Sequence, residues 1–180
     1  MMLIAAALLI ACIEWTPELV VRTYTEARER GDRETAAALV APDAKIWFGK
    51  KEGAGEPFGA KSNWEHWDEF FHSRATYSDW KYVGNNVSAL VHESNDFYTM
   101  LEWKPIPYRM TWTVDGQFIR EVLLEPQPGK PVSRLDEVKA WAQRHHADEL
   151  AYLMPKGRID PTGDRAERWT KLLEEWRRTR

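Results

Sequence analysis

Residues 109–125 read RMTWTVDGQFIREVLLE, two runs rich in β-branched, aromatic and aliphatic side chains around one turn, the first of which alternates apolar and polar residues. Alternation of this kind, with β-branched and aromatic residues, is typical of strands that bury one face. The pair Asp115-Gly116 supplies the positive φ angles of a two-residue type I′ turn. The stretch therefore predicts an antiparallel hairpin, and with it a protein built around a sheet.

The hairpin also predicts which side chains share a face. The expected cross-strand pairs are Val114 with Gln117, Trp112 with Ile119, and Met110 with Glu121. One face then carries Met110, Trp112, Ile119, Glu121 and Leu123, and we expect that face to line the core. An inward carboxylate is costly unless it is paired or useful, so Glu121 is a candidate catalytic residue. A register slip of one residue would turn it to solvent.

Further elements surround the hairpin. Residues 78–125 are rich in β-branched and aromatic side chains, with breaks at 84–86 and 105–107. Upstream, the predicted elements are a helix at about 17–30, a second helix between Asp32 and Pro42, a short strand at 45–48, a glycine loop at 49–59, and a third helix that begins at the capping box of Ser62 to Glu65. Helices therefore precede the sheet.

Two helical segments are expected after the sheet. The first spans about 133–154 and is broken near His146, and the second runs from Asp164 to the end. The second carries an apolar stripe of Ala166, Trp169, Leu173 and Trp176. The stripe needs a surface to cover, and the outer face of the sheet is the expected one.

The order of these elements resembles the nuclear transport factor 2-like superfamily, in particular its bacterial SnoaL-like members. The resemblance covers about Thr16 to Pro126, and its motifs are Gly31-Asp32, Ala41-Pro42-Asp43-Ala44, and Asp115-Gly116 followed by Ile119 and Glu121. It implies an α+β fold in which a cone-shaped, curved antiparallel sheet wraps around the N-terminal helices, with the C-terminal helices as an extension. Many members pair through the outer face of the sheet, and both a monomer and a homodimer stay open here.

The N-terminal segment suggests export. Residues 1–11 are apolar without a break, and in a helix they would rise about 16 Å, too short for a hydrocarbon core of about 30 Å. Residues 9–12, Leu-Ile-Ala-Cys, resemble the lipobox of bacterial lipoproteins, which implies cleavage before Cys12 and a lipid on its sulfur. The alternative is an apolar tail or a first strand, which would leave the protein cytoplasmic.

The predicted organisation has three parts. They are a signal peptide at 1–11, a cone domain at 12–126, and a C-terminal helical extension at 127–180 that packs on the same domain. The mature protein is expected in the periplasm or at the cell surface, held to the membrane only by the lipid on Cys12.

Acid and base chemistry in a cone pocket requires a few polar groups set in apolar walls. Asp68 and His72 are four residues apart on the third helix, so the carboxylate could orient the imidazole as a general base; the alternative is a solvated surface pair. Tyr98 and Tyr108 are candidate proton donors. The candidate catalytic residues are therefore Glu121, His72 and Asp68, with Tyr98 or Tyr108 as the proton donor.

The chain contains ten tryptophans, and large aromatic rings suit both cores and pockets for apolar ligands. The candidate ligand-binding residues are Trp47, Trp67, Tyr98, Trp103, Tyr108 and Trp112. Aromatic residues at these spacings are more often core.

Other classes of function lack sequence support. The five histidines include no pair four apart on one helix, and Cys12 is the only cysteine, so no metal site is predicted. No glycine-rich phosphate loop is present, and we expect no cofactor. The formal net charge of −3, without a basic stripe, argues against nucleic acid as a partner.

Three functions follow as hypotheses. The first is an exported, lipid-anchored module that binds a small apolar or aromatic molecule, or a partner protein, in the cone. The second is a cofactor-free isomerase, dehydratase or hydrolase with an inward carboxylate or histidine as base. The third is an interaction protein whose cone is filled by its own side chains.

Overall fold

A computed structural model describes residues 14–59, 62–104, 107–129 and 133–180. The helices are α1 (Pro17–Arg30), α2 (Arg33–Ala38), α3 (Asn63–Phe70), α4 (Asp96–Met100), α5 (Leu135–His145), α6 (Ala147–Leu153) and α7 (Arg165–Arg178). The strands are β1 (Val40–Phe48), β2 (Glu56–Pro57), β3 (Arg74–Val83), β4 (Asn86–Ser94), β5 (Tyr108–Asp115) and β6 (Phe118–Pro126). Residues 9–12, which resemble a lipobox, lie outside the described residues.

The six strands form one curved sheet in the order β2-β1-β6-β5-β4-β3. All neighbouring strands are antiparallel except β1 and β6, which are parallel. Helix α1 lies on one face, here called the inner face. The core between them contains Val20, Val21, Tyr24, Val87, Ala89, Trp112, Ile119 and Val122. The α+β cone expected from the sequence is confirmed.

Helix α1 matches its predicted bounds because its end signals are local. Thr16 Oγ accepts a hydrogen bond from the backbone N–H of Leu19 at 3.2 Å, and Pro17 occupies the first turn. Gly31 ends the helix in the left-handed conformation, with φ of 73°. Both signals can be read within one helical turn.

Helix α2 is shorter than predicted, and strand β1 is longer. The helix ends at Ala38, and β1 begins at Val40 rather than at Lys45. Val40 pairs with Ile119 and Lys45 pairs with Glu121, and the register with β6 shifts between these pairs. Pro42 lies within that irregular interval, so a proline is tolerated inside the strand.

The predicted register of the β5–β6 hairpin is wrong. Asp115 pairs with Phe118, so the turn residues are Gly116 and Gln117. Val114 pairs with Ile119 but Thr113 pairs with Glu121, which leaves Arg120 as an extra residue on β6, a β-bulge. The bulge moves the following residues of β6 by one position, so that each faces the opposite side of the sheet from the one predicted.

The C-terminal helices confirm the break at His146, which lies between α5 and α6. Their packing corrects one prediction, because the apolar stripe of α7 does not cover the outer face of the sheet. It joins α3, α4, α5 and α6 in a second core whose largest members are Trp67, Phe71, Phe97, Trp141, Trp169 and Trp176. Within the part of the chain that the structure describes, no helix has the length and apolar composition needed to cross a bilayer.

Candidate functional site

The candidate site lies where strand β4 leaves the core. Val87, Ala89 and Val91 alternate along β4 and are buried on the inner face. Glu93 is the next residue of this alternation, so its carboxyl extends the same row at the end of the cone. A carboxyl in this position requires hydrogen-bond partners.

Two side chains supply those partners. The hydroxyl of Tyr108 donates to Oε2 of Glu93 at 3.1 Å, and Nδ2 of Asn95 lies 3.4 Å from Oε1. The hydroxyl of Tyr98 lies close enough to this carboxyl to act to lower its pKa. Burial, with a smaller contribution from the charge of Asp68, raises the pKa of Glu93 to about 7, although the hydrogen bonds act to lower it.

Both tyrosines stay protonated. Burial, followed by the adjacent Glu93, raises the pKa of Tyr98 and of Tyr108 above the usual value of a phenol. Their hydroxyls are therefore hydrogen-bond donors over the whole physiological range of pH.

Asn95 holds this arrangement in place. Its Oδ1 accepts from the backbone N–H of Tyr98 at 2.8 Å and caps the short helix α4. Its Nδ2 lies 3.3 Å from the hydroxyl of Ser73. The cap ties the end of β4, the start of α4 and the loop after α3 to one buried amide.

An ion-paired arginine lies in the same region. Arg28, near the end of α1, donates to Glu65 at 2.5 Å and to Asp68 at 3.0 Å, both on α3. Burial opposes the charge of Arg28, but Tyr24 and the two carboxylates outweigh it and raise the pKa of the guanidinium. Burial raises the pKa of Asp68, while Arg28 acts to lower it. The exposed fractions of the three side chains are 27% for Arg28 and 29% for each acid, so this part reaches solvent.

We refer to these residues together as the Glu93 cluster. Its members are Arg28, Glu65, Asp68, Glu93, Asn95, Tyr98 and Tyr108. The cluster combines a carboxyl whose pKa is raised to about 7, two neutral hydroxyls, and a guanidinium that is paired with two carboxylates. Such a set can bind an oxygen-bearing molecule and can exchange a proton with it.

The sequence-based candidates fall in three places. Asp68, Tyr98 and Tyr108 meet in the Glu93 cluster. Glu121 does not, because the bulge at Arg120 directs it to the outer face, where it pairs with Lys51 at 2.5 Å. The expectation that it faces inward is therefore wrong.

The expected pair of Asp68 and His72 is not formed. Helix α3 ends at Phe70, and His72 follows it in the left-handed conformation with φ of 50°. The imidazole is 74% exposed, and its Nδ1 lies 2.7 Å from Asp96 instead. The spacing of four residues has no meaning once the helix has ended between them.

The four candidate tryptophans also separate. Trp47 alternates with the inward Ile46, so it lies on the outer face, under the loop that carries Gly53 and Gly55. This position corrects the expectation that Trp47 lines the cone. Trp67 is buried in the helical core.

The other two tryptophans lie nearer the cone. Trp112 is fully buried on the inner face, and its ring stacks on Trp80 with centroids 6.0 Å apart. The ring of Trp103 contacts that of Tyr98, with centroids 5.0 Å apart. Among the described residues, the indole N–H groups of Trp103 and Trp112 are buried without a hydrogen-bond partner. Trp103 is therefore a free donor beside the Glu93 cluster.

Sequence reasoning missed Glu93 and Arg28, although each had a signal. Glu93 continues the two-residue period of Val87, Ala89 and Val91, and Arg28 follows Tyr24 by four residues on the buried side of α1. A charged residue at a position where a regular pattern predicts a buried apolar side chain is therefore a candidate site residue.

The described part of the chain contains no group of three His, Cys, Asp or Glu side chains arranged to hold a metal ion. Two open depressions occur elsewhere. One, of about 350 Å³, lies between β2, the start of α3 and residues 155–162. The other, of about 460 Å³, lies along α6 and α7. Neither is lined by the Glu93 cluster.

No protein-family model and no curated protein sequence matches this chain. Solved structures do. A Δ5-3-ketosteroid isomerase from Mycobacterium sp. has a TM-score of 0.50 and 14% identity, with 66% of this chain and 99% of that chain covered. An NTF2-like protein from Burkholderia thailandensis E264 has a TM-score of 0.49 and 15% identity, with 63% and 92% covered.

A protein of unknown function with a cystatin-like fold, from Methylobium petroleophilum PM1, has a TM-score of 0.49 and 19% identity, with 63% of this chain and 77% of that chain covered. At 14% identity, the likeness to the isomerase, with its TM-score of 0.50, shows the fold alone. The chain has the α+β cone fold of nuclear transport factor 2-like proteins, as the resemblance implied.

Proposed function

We propose that the protein binds a small molecule at the Glu93 cluster, and that the ligand has an apolar body and a carbonyl or hydroxyl oxygen. The observation that carries this proposal is the carboxyl of Glu93, held at the end of the inner face by Tyr108 at 3.1 Å and by Asn95. Donors and acceptors on an apolar wall are the usual composition of a ligand site.

The surrounding aromatic residues support the apolar part of the ligand. Tyr98, Trp103 and Tyr108 lie at the cluster, and the indole N–H of Trp103 has no partner among the described residues. A buried donor without a partner is costly, and an oxygen of the ligand would satisfy it. Trp47 and Trp67 have no role in this site.

A first test uses 2-naphthol, a phenol with an apolar body, as the probe. We expect it to raise the melting temperature of the wild type and to shift the backbone amide signals of Asn95 and Tyr98 in NMR spectra. Tyr108→Phe should weaken both effects, because the donor to the carboxyl is lost. Tyr82→Phe removes a hydroxyl on β3, away from the cluster, and should leave both effects unchanged. Equal binding by the two variants would contradict the proposal, as would the failure of a broad library of similar molecules to bind the wild type.

A second candidate function is proton transfer with Glu93 as general base, and the specific observation that favours it is the pKa of about 7. A base of this strength is half ionised near neutral pH, where proton abstraction is most effective. Tyr98 and Tyr108 would donate to an oxygen that becomes negatively charged. Burial of the carboxyl also fits a purely structural role, so activity decides between the two.

Exchange of the α-protons of 2-tetralone in D2O tests this function. The exchange rate should rise with pH through about 7 and then level off, since only the carboxylate is a base. Glu93→Gln should abolish the catalysed exchange. Glu121→Gln, which changes a carboxylate on the outer face, should retain it, and loss in both variants would count against a base at Glu93.

We also propose that the chain is exported and anchored to a membrane by a lipid on Cys12, which the lipobox-like Leu9-Ile10-Ala11-Cys12 supports. Labelling of cells with radioactive palmitate tests whether Cys12 carries a lipid. Wild-type protein should carry the label and Cys12→Ser should not.

A further inference from the structure

Exposed apolar side chains concentrate at one end of the molecule. Among the described residues, six large apolar side chains are exposed, and four of them belong to the start of α1 and the tip of the β3–β4 hairpin. These are Trp15 at 36%, Leu19 at 38%, Tyr82 at 41% and Val83 at 73%. We call this set the apolar end.

Contacts between α1 and β3 show how the helix lies along the hairpin. The guanidinium of Arg22 lies 3.9 Å from the ring centroid of Trp80 and donates to the hydroxyl of Tyr82 at 2.8 Å. Farther along α1, the charge of Arg28 acts to lower the pKa of Tyr77, which comes earlier in β3, so Arg28 lies near Tyr77. Helix α1 therefore runs antiparallel to β3, and its first turn lies beyond Tyr82, towards Val83.

The proposed lipid attachment point is close to this end. Cys12 precedes Glu14, the first described residue, by two positions, so their α carbons are at most about 7 Å apart, and Trp15 follows directly. The headgroup layer of a bilayer is about 5–7 Å thick on each side. A lipid on Cys12 would therefore hold Trp15 and the first turn of α1 at the membrane surface.

The composition of the apolar end fits an interface. Tryptophan and tyrosine concentrate at the headgroup level, because one part of each ring is apolar and another is polar. The basic residues here are Arg22, whose guanidinium donates to Tyr82, and Lys81, which pairs with Asp79 at 3.6 Å, whereas Glu14 and Glu18 would have to remain in water. The surface is amphipathic rather than uniformly basic, so apolar contact is the main attraction.

We propose that the apolar end lies on the lipid bilayer when Cys12 carries its lipid. This inference rests on the proposed anchor but not on the proposed ligand. It also orients the molecule, because Glu93 is seven residues along β4 from Asn86 at the hairpin tip, about 24 Å in a strand. The Glu93 cluster then faces away from the membrane, towards the solution from which a ligand would come.

The test places a polarity-sensitive fluorophore at single sites of the full chain. Cys12 is the only cysteine, and a lipidated Cys12 has no free thiol, so Val83→Cys and Glu174→Cys each give one labelling site. Glu174 is exposed on α7, which packs with α3 and α4. Lipidated protein is purified from bacterial membranes and inserted into vesicles of phosphatidylethanolamine and phosphatidylglycerol, with or without a quencher attached to the lipid.

We expect the label at position 83 to shift to shorter wavelength and to be quenched several-fold more than the label at position 174. Adding Trp15→Ser and Leu19→Ser should reduce the quenching at position 83, while the circular dichroism spectrum stays that of the folded protein. Equal quenching at the two positions would overturn the inference and leave the anchor intact. Protein that is absent from the membrane fraction would overturn the anchor and the inference together. Neither result affects ligand binding at Glu93.

Discussion

Glu93 and Glu121 differ only in their surroundings. Glu121 is paired with Lys51 on the outer face, whereas Glu93 bonds to neutral partners on the inner face. A neutral hydrogen-bond donor stabilises a carboxylate less than an opposite charge does, so burial dominates at Glu93 and raises its pKa to about 7. The folded protein therefore holds a proton on Glu93 at pH values where the unfolded protein does not, and this difference can be measured.

This shift predicts how stability depends on pH. The folded state binds the Glu93 proton more tightly than the unfolded state, whose pKa is about 4.5. The contribution of Glu93 to stability is therefore fully present below pH 4.5, is lost as the pH rises to about 7, and is constant above it. A shift of this size corresponds to about 3 kcal/mol.

Urea unfolding of the wild type and of Glu93→Gln at a series of pH values measures this contribution. The variant lacks the titrating group, so it should not lose this stability as the pH rises. Its free energy of unfolding should therefore increase relative to that of the wild type by up to about 3 kcal/mol between pH 4.5 and pH 8. Glu121→Gln is the matched control, and no such gain is expected for it. A constant difference between Glu93→Gln and the wild type would show that the carboxyl titrates normally.

At the scale of elements, the loop between β1 and β2 is shaped by the ring it covers. Gly53 and Gly55 both have positive φ, of 67° and 66°, but only Gly55 lies against Trp47. A Cβ on Gly55 would be 2.7 Å from the indole, and a Cβ on Gly53 would meet nothing within 4 Å. A substitution of Gly53 therefore introduces backbone strain alone, whereas a substitution of Gly55 introduces backbone strain together with a clash against Trp47.

We expect Gly53→Ala to lower the free energy of unfolding by about 1 kcal/mol, the cost of a left-handed alanine. Gly55→Ala should cost about 2–4 kcal/mol, because overpacking against Trp47 adds to the same strain. Chemical denaturation followed by circular dichroism measures both. Equal losses would show that the ring moves freely and that the loop does not hold it.

At the scale of the whole molecule, α3 joins two cores. Its ion pairs with Arg28 connect it to α1 and the sheet, while Trp67 packs with Phe97 on α4. Phe97 in turn contacts Trp169 of α7, with ring centroids 5.4 Å apart. The C-terminal helices are thus linked through α3 and α4 to the elements that form the Glu93 cluster.

Trp169→Ala tests this linkage. Removing a fully buried tryptophan should cost about 3–5 kcal/mol, although loss of its unpartnered N–H would offset part of that. Hydrogen exchange should then be faster in α3 and α4 as well as in α7. Lys171→Ala, on the exposed side of the same helix, should change stability by less than about 0.5 kcal/mol. Faster exchange confined to α7 would mean that the extension unfolds separately.

The resemblance to a known family implied the cone fold, and the sequence did not indicate β2 or α4. What the sequence by itself determined is most of the order of the other elements, the bounds of α1 and the break at His146. These features depend on caps, glycines and apolar periods that act within a few residues. Asp68, Tyr98 and Tyr108 were also named as candidate site residues and lie in the Glu93 cluster, although the pairing with His72 that singled out Asp68 is not formed.

Only the tertiary structure decided which carboxylate faces inward and what α7 covers. The bulge at Arg120 arises where β6 pairs with β1 and β5 at once, and one extra residue exchanges Glu121 for Val122 on the inner face. Helix α7 could satisfy its apolar stripe on any exposed apolar surface; it packs with the neighbouring α5 and α6 and also with α3 and α4, which are more than 60 positions away. Long-range pairing and burial are collective, so no local pattern encodes them.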